Sequence, residues 1–212
     1  LRNYSLSGPP VAGYYRIAVK REPAGAVSGY LHTRLRVGAQ LEIAAPRGTF
    51  ILDSTNAPVL LMSVGIGATP VLAMLNALAT EHTDREIWWL HGARSSRDHS
   101  FAAEARALLA SLPNVHTHVC YSRPGSDDLE GRDFDSAGRL TPALLVELAP
   151  PRDAEAYLCG PIPFMEDISA GLAAMGIDAL ADRLFGTLSE GERKRALAAR
   201  ALMTDPELLL LD

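Results

Sequence analysis

Short apolar runs alternate with amphipathic stretches between residues 58 and 175, and each run is bounded by turn-forming residues. A continuous apolar run of this kind is typical of a strand that is buried on both faces of a sheet. An amphipathic stretch of roughly ten residues indicates a helix packed on that sheet. The pattern predicts strands at Pro58–Ser63, Ile87–Gly92, Val115–Tyr121 and Ala156–Gly160, and helices at Pro70–Ala79, Phe101–Ser111, Thr141–Leu148 and Pro163–Met175.

The stretch before Pro58 has a different hydrophobic pattern, with brief apolar clusters between glycines and prolines. Tyr14–Lys20 and Leu41–Ala44 fit short strands of an antiparallel barrel or sandwich, and Ser28–Leu35 fits one or two helical turns. The alternation of strands and helices after Pro58 is typical of a doubly wound parallel sheet. The predicted fold class is α/β: a partial antiparallel β-barrel, then a doubly wound parallel-sheet domain, then a short helix–strand tail.

Composition excludes several classes of function. The chain carries 25 acidic and 20 basic side chains, a formal charge of −5, so it has no basic surplus for a nucleic-acid backbone. No apolar run approaches the roughly 18 residues that a membrane-spanning helix needs, and no signal layout is visible. Cys120 and Cys159 lack metal-ligand spacing, which predicts no metal site and favours a reducing cytoplasm. Because the chain begins at Leu1 rather than Met, we expect it to begin inside a domain.

A glycine-rich turn, Gly65-Ile66-Gly67-Ala68-Thr69-Pro70, follows the first predicted strand. Glycines at this point let a backbone approach a pyrophosphate, and the N-terminus of the next helix offers N–H groups and a positive dipole end. A tight strand-to-helix turn with Thr69 as N-cap and Pro70 at the first helical position explains the same residues equally well. The turn also lacks the third glycine of the common dinucleotide fingerprint.

Two N-terminal stretches carry residues that suit a phosphate and a flat ring. Arg2 and Tyr4 share one face of an extended strand, so the cation could hold a phosphate while the aromatic ring packs on another ring. An edge strand with one surface arginine is the simpler interpretation. Gly25-Ala26-Val27-Ser28 opens the short predicted helix and could present N–H groups to a second phosphate, although a plain N-cap at Ser28 explains it equally well.

Two further candidates lie at the ends of predicted strands, where ligands bind in sheets of this type. Cys159-Gly160-Pro161 ends the fourth strand. A buried small hydrophobe is the default role for a lone cysteine, and no His or Asn arrangement favours a nucleophile. Arg94, Ser95 and Arg97 follow the second strand and could bind an adenosine ribose or its 2′-phosphate, although surface arginines are common in loops.

The order of these motifs resembles the ferredoxin–NADP reductase superfamily, in particular the reductase modules of flavohaemoglobins. Arg-x-Tyr-Ser, Gly-x-x-Ser, Gly-x-Gly-x-Thr-Pro and Cys-Gly-Pro follow one another here, and the resemblance covers residues 1–178. It implies a flavin-dependent NAD(P)H oxidoreductase with FAD and NAD(P)H as cofactors. Such an enzyme moves a hydride from NAD(P)H to FAD and electrons on to a haem or iron–sulfur (2Fe-2S) acceptor.

The resemblance also implies roles for individual residues. On the flavin side, Arg2 would hold a phosphate, and Tyr4 and Ser5 would lie beside the isoalloxazine ring. The FAD diphosphate would be cradled by Gly25, Val27 and Ser28. On the nicotinamide side, the implied contacts are Gly65, Gly67, Thr69, Pro70, Arg94, Ser95, Cys159, Gly160 and Pro161. The implied catalytic positions, beside the reacting rings, are Tyr4, Ser5 and Cys159.

Two departures from the family pattern set further expectations. Family members have several barrel strands ahead of Arg-x-Tyr-Ser, and none precedes Arg2 here. We therefore expect a truncated FAD-binding barrel over residues 1–54 and an NAD(P)H-binding domain over residues 55–178. The family's last strand should follow Gly176-Ile177-Asp178, and we expect it to be missing. A folded nucleotide-binding core that binds no flavin is therefore an alternative.

From Ala179 onward the chain resembles part of the nucleotide-binding subunit of ABC transporters. Leu188-Ser189-Glu190-Gly191-Glu192 looks like the signature motif of that family, and Leu208–Asp212 looks like its Walker B strand. A capped helix followed by a buried strand explains the same residues. The resemblance implies an alternative function for residues 179–212, an ABC transporter ATP-binding component. No Gly-x-x-x-x-Gly-Lys-Ser/Thr occurs in the chain, so we expect this segment to be inactive as an ATPase.

Overall fold

A six-stranded parallel sheet forms the centre of the computed structural model, which describes residues 2–9, 11, 13–177 and 179–181. All of these residues belong to one compact unit, Leu1–Ala181. In chain order the helices and strands are α1 (Ala26–Thr33), β1 (Val59–Val64), α2 (Ala68–Thr80), β2 (Ile87–Ala93), α3 (Ala102–Leu109), β3 (Val115–Tyr121), β4 (Ser136–Ala137), α4 (Pro142–Leu148), β5 (Glu155–Cys159), α5 (Ile162–Ala174) and β6 (Ala179–Ala181).

The strand order β4-β3-β2-β1-β5-β6 places the first strand inside the sheet, with β2 on one side and β5 on the other. Every pairing between these strands is parallel, and Ser63 of β1 lies opposite both His91 of β2 and Cys159 of β5. The chain therefore reverses its direction of travel across the sheet at β1. A crevice forms at such a point, beyond the carboxyl ends of β1 and β5. The predicted doubly wound parallel sheet is confirmed.

The apolar residues of β1 alternate between the two faces of the sheet. Val59 and Leu61 pack on one side with apolar residues of α2 and α3, whereas Leu60 and Met62 pack on the other side with α4 and α5. All of these β1 side chains are fully buried. Burial of both faces explains why the strand is an unbroken apolar run in the sequence rather than an alternating one.

The helices begin close to their predicted positions, and local chemistry explains the shifts. α4 begins after Thr141, whose hydroxyl accepts a hydrogen bond from the Leu144 N–H at 3.3 Å, as an N-cap does. α2 begins at Ala68 rather than at Pro70, because a 3-10 turn over Gly65–Gly67 leads directly into it. α1 starts at residue 26, slightly ahead of the predicted stretch.

The stretch before β1 corrects the sequence analysis. Neither Tyr14–Lys20 nor Leu41–Ala44 forms a regular strand, and the antiparallel pairing in the described part of the chain is a single bridge between Leu6 and Ile17. Ile43 is 69% exposed, so this apolar side chain gains little from packing. A strand without several paired neighbours is not stable on its own. An FAD-binding barrel is therefore not present among the described residues.

The two edge strands of the sheet, β4 and β6, are not among the strands predicted from the sequence. β4 pairs with the end of β3, and β6 pairs with β5, where Ala156 lies opposite Ala179. The expectation that no strand follows Gly176-Ile177-Asp178 is wrong, because Ala179–Ala181 belongs to the parallel sheet. The rest of the ABC-like segment, residues 182–212, lies outside the described residues.

Candidate functional site

The glycine turn after β1 meets the turn after β5 at the crevice. A Cβ atom placed on Gly67 would lie 2.2 Å from the carbonyl oxygen of Cys159 and 2.9 Å from the Cα of Gly160, distances that real Cβ atoms do not adopt. Only glycine fits at this position without a shift of the backbone. The structure therefore brings together two of the predicted motifs, which lie far apart in the sequence.

Empty space lies beside the backbone of Gly65, the first residue of the glycine turn. Gly65 has a left-handed conformation with φ of 58°, and no atom lies within 4 Å of the position that its Cβ would occupy. This leaves room for a ligand beside the backbone. The interpretation of Thr69 as N-cap is wrong: the N-cap of α2 is Gly67, and the Thr69 hydroxyl donates to the Ile66 carbonyl at 3.1 Å.

The start of α2 offers fewer N–H donors than a helix N-terminus usually does. The Ala68 N–H donates within the 3-10 turn, to the carbonyls of Gly65 and Ile66. Pro70 has no N–H to offer. The positive end of the helix dipole remains. An anion at this end would therefore be attracted more by the dipole than by a full set of amide hydrogen bonds.

The turn after β5 contacts the glycine turn through its backbone. The Cys159 side chain is 4% exposed, which fits a buried small hydrophobe better than an accessible nucleophile. A Cβ on Gly160 would lie 2.8 Å from the Phe164 ring and 3.4 Å from the Val64 Cβ, so this strand end is closely packed. Pro161 is exposed and stands at the N-cap of α5.

The loop after β2 carries the predicted ribose contacts. Arg94 and Arg97 are exposed, and the half-buried Ser95 donates its hydroxyl hydrogen bond to the Asp98 carboxylate at 3.1 Å. The Arg94 carbonyl accepts a hydrogen bond from the Arg123 N–H at 2.8 Å, which ties the loop to the chain after β3. Two exposed guanidinium groups suit a phosphate, whereas the Asp98 carboxylate opposes a second negative charge.

A buried chain of polar side chains crosses β1, β2 and β3, and none of its residues is predicted from the sequence as a site residue. Ser63 Oγ lies 2.9 Å from His91 Nδ1, and the His91 ring stacks on His99 with ring centroids 4.6 Å apart. His99 Nδ1 in turn lies 2.9 Å from the Tyr121 hydroxyl. Burial, and then the neighbouring His99, lowers the pKa of His91 from 6.5 to about 3. Burial, and then the charge of Arg106, lowers the pKa of His99 to about 4, so both rings are neutral at pH 7.

The predicted flavin contacts lie on the N-terminal stretch. Arg2 is exposed, and Tyr4 and Ser5 are half-buried. The next residue, Leu6, is bridged to Ile17. Within the described residues neither Tyr4 nor Ser5 hydrogen-bonds to the glycine turn.

Gly25 and Ser28 shape the start of α1. The N-cap is Gly25 rather than Ser28, which corrects the interpretation of Ser28 as the cap. Ser28 is 7% exposed, and its hydroxyl donates to the Gly25 carbonyl at 3.3 Å and accepts from the Glu22 N–H at 3.2 Å. This hydroxyl is therefore used within the turn. The first N–H groups of the helix, including that of the half-buried Val27, lie outside the helix's own hydrogen bonds.

Two kinds of feature are absent from what the structure describes. Across residues 2–9, 11, 13–177 and 179–181, no three His, Cys, Asp or Glu side chains come together in a way that could hold a metal ion. No described helix combines the length and the apolar character needed to cross a membrane.

A family model and two curated relatives match the region that forms this site. The model of the oxidoreductase NAD-binding domain matches residues 61–170, which contain both turns. The Flavohemoprotein of Bacillus thuringiensis subsp. konkukian is 40% identical over 183 residues, which are 83% of this chain and 45% of that protein. The Flavohemoprotein of Bordetella pertussis is 43% identical over 182 residues, with the same shares of each chain. The chain thus spans about half the length of these relatives.

Solved structures share the fold. The flavohem-like FAD/NAD binding domain of nitric oxide dioxygenase from Vibrio cholerae has a TM-score of 0.73 and 34% identity, over 85% of this chain and 77% of that one. Flavohemoglobin from Malassezia yamatoensis, solved with bound FAD and heme, has a TM-score of 0.71 and 28% identity, over 84% of this chain and 45% of that one.

Proposed function

This chain belongs to the oxidoreductase NAD-binding domain family, and from that membership we propose that it takes a hydride from NADH or NADPH, passes it to FAD and sends electrons on to an acceptor. The contact of Gly67 with the Cys159–Gly160 backbone carries the proposal. It brings the turns after β1 and β5 into close contact, while a Cβ at Gly65 would meet no atom within 4 Å. A dinucleotide requires such a surface, because its pyrophosphate must approach a backbone closely.

The proposed nucleotide site uses backbone more than side chains. The pyrophosphate would lie at the positive end of α2, and the nicotinamide would lie beside the turn after β5, where close packing excludes water. The adenosine ribose would lie by the exposed arginines of the loop after β2. The residues assigned to these contacts are Gly65, Gly67, Thr69, Pro70, Arg94, Ser95, Cys159, Gly160 and Pro161.

The residues proposed for FAD fit it in part. The first turn of α1 presents backbone N–H groups to a diphosphate, and Arg2 supplies an exposed cation. The Ser28 side chain does not fit a phosphate contact, because its hydroxyl is engaged within the turn. We therefore assign the diphosphate contact to the backbone of Val27 and Ser28.

A bound flavin accepts the hydride of the nicotinamide and can release its electrons singly. Tyr4 and Ser5 would lie against the ring system and hold its orientation, since both are half-buried and thus partly supported by the fold. The buried Cys159 would present an apolar surface beside the nicotinamide. Orientation and exclusion of water are the tasks of these side chains, because hydride transfer needs no general base.

We propose haem as the acceptor and the cytoplasm as the compartment. The matched relatives carry the name Flavohemoprotein, and the Malassezia structure holds both FAD and heme. An iron–sulfur protein is the alternative acceptor. Cys120 and Cys159 are buried thiols, which agrees with a reducing environment.

The experiment titrates the purified chain separately with FAD, NADH and NADPH, and then mixes the FAD-loaded chain with each nucleotide under anaerobic conditions. We expect bleaching of the flavin absorbance, and turnover when ferricyanide is added as an artificial acceptor. A chain that binds nucleotide but no flavin would instead be a folded NAD(P)-binding core. A chain that binds neither would contradict the proposal.

A second proposal concerns residues 182–212 and rests on the signature-like motif Leu188–Glu192. We propose that this segment is an ABC-type fragment without ATPase activity, because the chain contains no Walker A motif. Incubation with ATP should release no phosphate above a buffer blank. Measurable hydrolysis that survives repurification would contradict this proposal.

A further inference from the structure

A polar bridge joins the N-terminal stretch to α3. Both terminal nitrogens of Arg16 donate to Glu104: Nη1 to Oε2 at 3.2 Å and Nη2 to Oε1 at 2.6 Å. This is the two-pronged geometry in which an arginine recognises a carboxylate most specifically. The two residues are 88 positions apart in the chain, so the pair connects separate parts of the fold.

Glu104 is held in place from α2 as well. The buried Asn76 side chain donates to Glu104 Oε1 at 3.3 Å and to the Leu72 carbonyl at 3.0 Å. Partial burial works to raise the pKa of Glu104, but the hydrogen bonds from Arg16 and Asn76 outweigh it and hold the pKa below its ordinary value. The carboxylate is therefore charged at pH 7. Arg16, Glu104 and Asn76 together are called the Arg16 bridge below.

Arg16 of the bridge contacts one short segment of the N-terminal stretch, Ser7 and Gly8. The Ser7 N–H donates to the Arg16 carbonyl at 2.9 Å, and Arg16 Nη2 donates to the Ser7 carbonyl. A Cβ on Gly8 would lie 2.9 Å from the Arg16 Cβ, so the two backbones approach closely here. Ser7 and Gly8 are buried, although their neighbours across residues 13–17 are mostly exposed. Ser7 follows Ser5 by two positions, so fixing Ser7 limits how far the proposed flavin contacts can move.

We propose that the Arg16 bridge is a positioning device, which holds the stretch carrying Tyr4 and Ser5 on the nucleotide-binding domain and so sets the distance between flavin and nicotinamide. Its catalytic consequence rests on the proposed function. Hydride transfer slows steeply when the reacting atoms are displaced by about 1 Å. A device that orients one ring changes the rate of transfer, whereas it leaves the affinity for the nucleotide unchanged, because the bridge does not touch the crevice between β1 and β5.

Two single variants break the bridge, one at each end, and one double variant restores its ion pair. Arg16→Leu and Glu104→Gln each remove the ion pair, and the double variant Arg16→Glu with Glu104→Arg reverses its charges. Lys20→Met is the matched control. Lys20 lies on the same stretch, but its Nζ pairs with Glu22 at 3.6 Å and both side chains are well exposed, so this pair connects nothing distant.

The first measurement is hydrogen exchange of the full chain, followed in peptides that cover residues 2–9. Loss of the bridge at Glu104 should raise exchange there by up to about fivefold, because the segment opens more often once Arg16 is released. The charge-reversed pair should recover part of the protection, because it restores the ion pair but neither the donation to the Ser7 carbonyl nor the hydrogen bond from Asn76. Lys20→Met should match the wild type. Unchanged exchange in Glu104→Gln would overturn the proposal.

The second measurement is single-turnover reduction of the FAD-loaded chain by NADH and NADPH. The rate constant should fall by roughly ten- to a hundredfold in Arg16→Leu and Glu104→Gln, while the nucleotide dissociation constant changes by less than about twofold. The charge-reversed pair should regain part of the rate. An unchanged rate, or equal losses in rate and nucleotide affinity, would overturn the proposal. If the wild-type chain binds no flavin, the proposed function and this catalytic half fail, and the exchange measurement still decides whether the bridge holds the stretch.

Discussion

Replacing Gly67 with alanine tests the contact between the two turns of the nucleotide site. The added Cβ would lie 2.2 Å from the Cys159 carbonyl oxygen and 2.6 Å from its carbonyl carbon, whereas ordinary contacts begin near 3.4 Å. The two backbones must therefore separate by about 1 Å, and no side-chain rotation relieves the clash because the atoms are backbone atoms. The opening falls at the point where the nicotinamide and the pyrophosphate would lie.

The size of the effect follows from this displacement. Overpacking of this kind costs about 1–3 kcal/mol of stability, which lowers the Tm of a chain of this size by about 2–12 °C. A misplacement of about 1 Å at a site that orients reactants reduces the rate by up to about a hundredfold. We expect Gly67→Ala to fold, to bind NADH and NADPH more weakly, and to reduce FAD roughly ten- to a hundredfold more slowly than the wild type.

The assay compares thermal unfolding, nucleotide titration and single-turnover flavin reduction, with Gly176→Ala as the control. Gly176, in the turn between α5 and β6, also has a left-handed backbone, with φ of 79°. A Cβ on Gly176, however, would meet no atom within 4 Å. Its replacement should cost about 1–2 kcal/mol of stability through backbone strain alone, with no change in nucleotide affinity. A folded Gly67→Ala protein with wild-type affinity and rate would refute the assignment of the crevice.

The remaining predictions concern pH and nucleotide choice. Because the folded pKa of His91 is about 3, below its ordinary 6.5, the unfolded chain binds a proton first as the pH falls. His91 should then remove up to about 1.4 kcal/mol of stability per pH unit below pH 6.5. The unfolding free energy can be measured by urea titration at several pH values between about 7.5 and about 5. It should fall less steeply with falling pH in His91→Gln than in the wild type. The same pH dependence in both proteins would contradict this prediction. Burial works to raise the pKa of Glu155, but its hydrogen bonds lower it overall. Its stabilisation is therefore present above the ordinary pKa of 4.5 and is lost as the pH falls through the lower folded value, so Glu155→Gln should flatten the acid limb of the unfolding profile. The double variant Arg94→Ala/Arg97→Ala should raise the KM for both nucleotides unequally. The factor by which the KM rises should be roughly tenfold larger for NADPH than for NADH. Exposed Arg152, ahead of β5, supplies the control, and equal effects on both nucleotides would argue against a 2′-phosphate contact.

The central sheet could be predicted because burial on both faces leaves a visible trace in the sequence. β1, β2 and β5 are bounded runs of mainly apolar, buried residues with helices between them, whereas β3 keeps two exposed polar residues, His116 and Thr117. β4 and β6 have two and three residues, too few to show any periodicity, and they exist because longer strands offer them an edge. The 3-10 turn that starts α2 early depends on the conformation of Gly65, which residue type alone does not specify.

The candidate site could be predicted as separate motifs, whereas its contacts depend on the fold. Gly67 lies against the Cys159–Gly160 backbone because the strand order places β5 beside β1. The Ser63–His91 pair links residues 28 positions apart, and its sole trace in the sequence is a histidine inside an otherwise apolar strand. Arg16 and Glu104 leave no trace at all, because each resembles an ordinary surface charge until the fold brings them together.

Different forces hold the two parts of the described chain, and this determines how the proposed function can fail. The crevice lies between strands whose side chains are mostly buried, so a change there disturbs stability and chemistry together. The N-terminal stretch depends on an ion pair whose side chains are 36% and 32% exposed, and such a pair contributes at most about 1 kcal/mol. Breaking the Arg16 bridge should therefore barely move the Tm while it slows hydride transfer, whereas overpacking Gly67 should lower both. The ratio of rate loss to stability loss thus separates a residue that positions the flavin from one that packs the nucleotide site.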